Sequence, residues 1–428
     1  MLSQHVKSLA GKIRRAGGRK GTPERPIRIG LLWHSLTSGN LGIGALTYGN
    51  IAIARKALHD LDLHAQFVVI GMRDGETSSV MGNEVETHIV TMRTLLSPNG
   101  LWKVLGGIDC VLDIGAGDSF TDTYGWKRFL ILCAGKVMAV CRGIPLVLSP
   151  QTVGPFNHPG ARAVATVVLR RASAIVTRDP ESLALARELA PRVPCTQSID
   201  VSFTLPHHDR SAERDGPVQR VGVNVSGLLF RQAENGTNRF GLGYDYARFS
   251  RALLRRLCAM PGIEVHLLTH ATSRFIPSDD DARVADLLHR EFPEVIRVPN
   301  FPGPVEAKSY ISSLDFLAAA RMHACIAAFC VGTPFIPVAY TRKFSGLFSS
   351  LGFDRTVPVD CPNDDHALDL VLRGLSEKTE LLDLISRGHE QVENLLGNYR
   401  SVLRDTFATL ALHQDNRLVT PQMCPATP

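Results

Sequence analysis

At 428 residues the chain is too long for one compact α/β layer and suits two domains of the usual ~100–200 residues each. With 44% hydrophobic and 21% charged residues it has the composition of a globular protein that buries a core, which excludes a disordered chain. Lys and Arg outnumber Asp and Glu by 47 to 41, a formal charge of +6 that suits an anionic small molecule or an anionic membrane surface. No basic run is interleaved with aromatic residues as a strand-tracking groove requires, so no nucleic-acid partner is expected.

Residues 1–25 are basic and Gly-rich, with Leu2, Val6, Leu9 and Ile13 able to share one helical face. They read as a leader capable of peripheral contact with anionic lipid, and they lack the apolar stretch of a secretory signal. The nine cysteines are an odd number with no CxxC pair, which points to buried thiols in a reducing cytoplasm. The uncharged run from Ala324 to Tyr340 is interrupted by Gly332, Pro334 and Pro337 and is too short to span a bilayer.

From Ile27 onward apolar runs alternate with helical periods. Strands are expected at Ile27–Trp33, His64–Ile70, Asp109–Ile114, Pro145–Ser149 and Ala174–Thr177, with helices at Gly44–His59, Leu130–Cys141, Ala161–Arg171 and Pro180–Leu189. Such alternation implies a parallel sheet covered on both faces. After a polar stretch at Leu205–Gln219 a second series begins. It reads as strands at Val221–Val225, Glu264–Thr269, Phe316–Ala319 and Phe335–Tyr340, and as helices at Tyr246–Ala259, Asp280–Glu291 and Met322–Cys330. The expected organisation is a domain over 26–205, a linker over 206–219, a domain over 220–362 and a helical segment and tail over 363–428, which could cross back to brace the first domain. Two doubly wound α/β domains facing one another leave a central cleft at the carboxyl ends of their strands, where ligands of such folds bind.

Leu314–Lys343 carries the most chemistry. Its strand delivers Arg321 and His323 at a carboxyl end just as a helix opens, and Lys343 follows the next strand, so cationic groups and a helix N-terminus converge as a phosphate or carboxylate site requires. Val111–Asp122 runs a strand into a turn where Gly115 and Gly117 let backbone amides approach a ligand and Asp118 can meet hydroxyls. The third glycine of a dinucleotide fingerprint is replaced by Phe120. Gln151 and Arg178 each lie just past a strand end and are expected at the same cleft edge, and Asp179 is expected to cap the helix from Pro180. The first turn, Ser35–Ala45, is Gly-rich and includes Asn40, but no Lys closes it as a Walker loop requires. His266 and His270 share one strand face at ~13 Å, too far apart for one ion, so no metal is expected.

The order of these segments, a Gly/Asn first turn, VLDIGAGDSFTD, SPQTVGPF, TRDPES, SIDVSF and ARMHACIAAFCVGTPFIPVAYTRK, resembles the polysaccharide pyruvyl transferase family over about Ile27 to Phe353. The resemblance implies two facing Rossmann-like domains, similar to the GT-B architecture, that move the enolpyruvyl unit of phosphoenolpyruvate onto sugar hydroxyls as a pyruvate ketal, without a cofactor. It places the family's Arg-x-His on Arg321 and His323, its downstream Lys on Lys343, and its RD-x-x-S on Arg178, Asp179 and Ser182. It also implies a saccharide or lipid-linked oligosaccharide acceptor. Two positions depart from the family's pattern: Ile43 follows Asn40-Leu41-Gly42 where an Asp is common, and Ser226-Gly227 occupy a turn where many members carry an Arg, a role Arg231 could take over.

The residue chemistry fits this reading, since guanidinium groups bind the two oxyanions of phosphoenolpyruvate and an imidazole titrates near neutrality. Arg321 with Lys343 is expected on the phosphate, Arg178 or Arg231 on the carboxylate, and His323 as general acid. The alternatives are a GT-B glycosyltransferase using a nucleotide sugar, for which Glu306 is the obvious ribose ligand, and a non-catalytic glycan-binding relative.

Overall fold

The computed structural model describes residues 21–72, 85–214, 216–273 and 277–415. The first domain runs β1 (Ile27–Leu32), α1 (Leu41–His59), β2 (Ala65–Gly71), β3 (Val85–Ile89), α2 (Met92–Leu96), α3 (Leu101–Leu105), β4 (Cys110–Asp113), α4 (Trp126–Cys141), β5 (Leu146–Gln151), α5 (Pro159–Leu169), β6 (Ala174–Thr177), α6 (Pro180–Leu189) and β7 (Cys195–Gln197). The second runs β8 (Gln219–Asn224), α7 (Gly227–Glu234), α8 (Tyr246–Cys258), β9 (Ile263–Leu268), α9 (Asp281–Glu291), β10 (Ile296–Arg297), α10 (Pro304–Ile311), β11 (Phe316–Ala319), α11 (Met322–Cys330), β12 (Phe335–Pro337) and α12 (Arg342–Ser349), followed by α13 (Asp364–Ser376) and α14 (Lys378–Asp415).

The first seven strands form one parallel sheet in the order β3-β2-β1-β4-β5-β6-β7, and the other five form a second in the order β10-β9-β8-β11-β12. Each order reverses direction beside its first strand, the doubly wound pattern expected from the alternation. In the first sheet, Leu31 and Leu112 face the layer of α1, whereas Leu32 and Val111 face a separate core built with α4 and α5. Alternate side chains of one strand thus feed two cores, which is why these strands read as continuous apolar runs.

The pattern missed three of the four edge strands. β3 (VETHI) is only partly buried, and β7 and β10 are very short, so their apolar signal is weak. Helix α1 starts three residues before its expected first residue because the Asn40 side chain caps it, Oδ1 accepting from Gly42 N at 3.0 Å. The polar stretch at 205–214 is not a free tether: Arg214 donates to the Ser312, Gly332 and Val331 carbonyls, and His208 N and Arg210 N donate to the Ser309 and Ser312 hydroxyls.

The C-terminal helix α14 crosses back to the first domain. Its fully buried Tyr399 donates to Asn50 Oδ1 at 2.7 Å and lies 2.8 Å from Ser149 Oγ, while Ser198 Oγ donates to Leu395 O. The loops at the carboxyl ends of β1 and β9 also meet, Leu41 N donating to His270 O and Thr272 N to Gly39 O. The carboxyl edges of the two sheets therefore face each other across the cleft.

Candidate functional site

The cleft brings together Arg178 from the end of β6, Asp200 from the segment after β7, and His323 from the first turn of α11. Arg178 Nη1 donates to Asp200 Oδ2 at 2.9 Å and its Nε to Thr152 Oγ1 at 3.0 Å. Asp200 is fully buried, and its other oxygen accepts from Ser202 N and Oγ. Burial alone would raise its pKa, but His323, Arg178 and the Ser202 bonds outweigh that and hold it below the usual carboxylate value.

His323 reaches across from the second domain with Nε2 3.8 Å from Asp200 Oδ2. That nitrogen is buried and has no hydrogen-bond partner among the described residues. Burial is the main cause pushing the imidazole pKa below 6.5; Arg178 adds to it, and Asp200 and Asp118 oppose it. The ring stands at the amino end of α11, whose free N–H groups favour an anion. Beside it a cavity of about 520 Å³ is lined by Thr152, Arg178 and Asp200 on one side and by Met322 and Leu347 on the other. That volume lies within the range of small-molecule sites, about 300–1,000 Å³.

Gly42 explains how the domains come so close. A Cβ at this position would overlap His323 Nδ1, so only glycine lets the start of α1 pass the imidazole. Gly117, at φ +88°, is required by its left-handed backbone and by Leu46, whose Cδ1 would stand 2.9 Å from a Cβ there, while Arg178 Nη1 would be in ordinary contact at 3.5 Å. The turn is left-handed at Gly115, Ala116 and Gly117 in succession, and Thr152 N closes it by donating to Gly117 O.

Other expected ligands sit differently. Arg321 was expected to face an oxyanion, but its Nε donates to both oxygens of Asp281 and its Nη2 to Asp281 and Asp279. Only 9% exposed, it is an ion-paired strut, and the carboxylates raise its pKa against the effect of burial. Asp281 is the hub of that edge, also accepting from Gly227 N and Ala271 N. Gln151 was expected beyond its strand, facing the cleft. It is instead the buried last residue of β5, with Nε2 donating to Asp113 O at 2.7 Å and Oε1 against Gly115.

Asn40 is spent on capping α1. Arg231 pairs with Glu234 at 3.1 Å on its own helix, 37% exposed, with no bond to Arg178, Asp200 or His323 among the described residues. Asp118 stays at the cleft, close enough to influence His323, and accepts from Tyr124 OH at 2.7 Å. The backbone of Lys343 opens α12, but its side chain lies outside the described part, as do residues 1–20 of the expected leader. Asp179 caps α6, donating nothing and accepting from Ser182 N and Oγ.

Sequence reasoning passed over Asp200 as a site residue. The signal was present in SIDVSF, a polar residue in a buried stretch, yet nothing local pairs it with Arg178 or His323.

Comparison with known proteins agrees with this fold. The amylovoran biosynthesis protein AmsJ of Erwinia amylovora is 22% identical over 312 residues, covering 68% of this chain and 71% of that protein. Among solved structures, Anabaena Alr3699/HepE in complex with UDP and glucose superposes with a TM-score of 0.54 at 13% identity, covering 89% of this chain and 99% of that one. A putative UDP-N-acetylglucosamine 2-epimerase from Listeria monocytogenes gives 0.53 at 10% identity, covering 84% and 90%. At such identities these likenesses speak for the GT-B-like fold alone. The polysaccharide pyruvyl transferase profile matches residues 48–342, a span that holds Arg178, Asp200 and His323, and the chain belongs to that family.

Proposed function

We propose that the protein transfers the enolpyruvyl unit of phosphoenolpyruvate to two hydroxyls of a saccharide, forming a pyruvate ketal during synthesis of an exopolysaccharide or cell-surface glycan. The observation that carries this reading is the buried, unpartnered Nε2 of His323 beside Arg178 and the amino end of α11. A proton donor thus faces a place where an anion is favoured.

In this reading Arg178 and the α11 amides hold the donor's oxyanions, and Lys343 adds a cation. Protonated His323 delivers its proton to the methylene carbon, the adjacent carbon becomes electrophilic, and one sugar hydroxyl adds there as its proton leaves. Phosphate then departs with the C–O bond electrons and the second hydroxyl closes the ketal. The two hydroxyl protons leave with the phosphate or recharge the imidazole, so no cofactor is consumed. Asp200 stabilises the imidazolium, and Arg321 acts by shaping the edge from which α11 starts. The donor is cytoplasmic, and the acceptor is a free or lipid-linked oligosaccharide.

The test uses the purified full chain with phosphoenolpyruvate and a set of oligosaccharides. Phosphate release matched by an acceptor mass gain of pyruvate minus water is the expected result. Thermal unfolding provides a second readout, because a ligand at 100 times its Kd stabilises the fold by about 2.7 kcal/mol. A shift with UDP-sugars alone would replace this reading with a glycosyltransferase, and glycan binding without phosphoenolpyruvate consumption would replace it with a non-catalytic lectin-like role.

A further inference from the structure

The outer layer of the first domain has an unusual composition. The crossovers from β3 to β4, β4 to β5 and β5 to β6 place α2, α3, α4 and α5 side by side on one face of the sheet, where Leu95, Leu101, Phe129, Leu132 and Ala165 share one core. The chain has 41 Asp and Glu, but none lies in these four helices. Their solvent side instead carries Arg93, Lys103 and Lys127, with Arg170 and Arg171 following α5, all exposed. The nearest loop carboxylates are engaged: Asp109 accepts from Arg28 N, Asp118 from Tyr124 OH, and Asp122 from Asn157 N and His158 N. Arg162 of α5 pairs with Glu188 of α6, where carboxylates resume.

Large apolar side chains stand among these cations. Leu96 is 77% exposed, Val167 61%, Leu130 49%, Met92 48%, Trp126 40% and Trp102 38%. Trp126, Leu130 and Val137 recur along one side of α4, and the Arg142 guanidinium lies 4.5 Å above the Trp102 ring. The opposite layer of the same sheet is of mixed charge, with Lys56 of α1, Asp60 at its end, and Glu393 and Arg404 of α14.

We propose that the outer face of α2 to α5 lies against an anionic lipid surface. A protein-protein interface core is depleted of Lys, whereas here Trp and Leu alternate with Lys and Arg over a carboxylate-free face. That combination suits the headgroup layer, where indole rings sit at the interface, aliphatic tips enter the acyl boundary, and each exposed cation is drawn to anionic lipid. The face ends at the cleft, since Tyr124, two residues before Trp126, donates to Asp118 in the Gly115–Gly117 turn. A protein lying on this face therefore holds its cleft rim near the membrane. This inference is independent of the pyruvyl reading.

Tryptophan fluorescence of the full chain tests it. Of three tryptophans, Trp33 is 3% exposed and buried in the core, while the other two are on the proposed face. Vesicles of phosphatidylcholine with phosphatidylglycerol should blue-shift the emission and shield it from iodide, with binding lost at high salt; phosphatidylcholine alone should do neither. The pair Leu130→Glu with Val167→Glu, and separately Lys127→Glu with Arg170→Glu, should weaken sedimentation with anionic vesicles about tenfold while leaving the melting temperature unchanged. Undiminished binding by both pairs would overturn the proposal and assign lipid contact to another part of the chain. So would absence of vesicle binding together with a self-association that these substitutions abolish, which would make the face a protein interface.

Discussion

His323 Nε2 and Asp200 Oδ2 lie 3.8 Å apart and belong to different domains, so the carboxylate of one domain sets the proton affinity of the imidazole of the other. Burial lowers the His323 pKa from 6.5 and Asp200 raises it again. A general acid with a lowered pKa is protonated in a smaller fraction of molecules as pH rises, so kcat/KM for phosphoenolpyruvate is expected to fall with increasing pH, with its midpoint below 6.5. Asp200→Asn removes the opposing charge and should move that limb to lower pH. An unmoved limb, measured with phosphate release as the readout, would show that His323 is not the group being titrated. His323→Ala should lower kcat about 10²–10⁴-fold, the usual contribution of a positioned acid.

Gly42 gives a prediction with the opposite dependence on chemistry. Gly42→Ala adds one methyl where His323 Nδ1 already sits, so the imidazole must turn away or the domains must separate. The helix itself should tolerate the change, since Ala is a better helix former than Gly by about 1 kcal/mol. Thermal stability is therefore expected to stay within a few degrees of the parent while turnover drops at least tenfold. Parental turnover would mean that the imidazole does not need its present position.

These two sites show where the sequence was legible. The alternation of apolar runs and helical periods read out the central strands of both sheets, because buried parallel strands carry their signal locally, and missed β3, β7 and β10, which do not. The placement of Arg178 and His323 at the cleft was readable for the same reason, each being a polar group just past a strand end. Asp200 was not: it is 22 residues from Arg178, and only the fold pairs them. Arg321 was misread because the carboxylate that claims it, Asp281, lies 40 residues earlier at the start of another helix. A strand-end cation seen in sequence is a site candidate until its partner is known, and Arg178 and Arg321 differ in how many carboxylates reach them.

Lys136 and Asp113, 3.0 Å apart and both with no side-chain exposure, form a buried ion pair beneath the Gly115–Gly117 turn. Lys136 also lies 4.6 Å from the Phe120 ring centroid, and Asp113 receives Gln151 Nε2 at 3.1 Å. Lys136→Met would leave a buried carboxylate without its cation and should destabilise the fold by about 3–5 kcal/mol. Adding Asp113→Asn should restore most of that loss, because no charge then remains to be buried. Urea denaturation of the two variants checks both statements, and a double variant no better than the single would show that the methylene packing of Lys136 dominates.

His34 makes the fold sensitive to acid. It is buried at 1% exposure, with Nδ1 3.1 Å from Leu32 O and Nε2 2.9 Å from Asn50 Nδ2. A carbonyl requires a proton on Nδ1 and an amide donor requires a lone pair on Nε2, so these partners accept only the neutral ring. Burial pushes its pKa from 6.5 down to about 3. Between those values the unfolded chain binds a proton that the folded one does not, so the stabilisation is complete above pH 6.5 and is lost as pH falls toward 3. The slope this one group contributes approaches about 1.4 kcal/mol per pH unit. His34→Asn, though less stable at neutral pH, should flatten the dependence of unfolding free energy on pH between 6 and 4 by roughly one proton. An unchanged slope in urea titrations across that range would mean that His34 is protonated in the folded protein and that the Asn50 amide has turned its oxygen toward it.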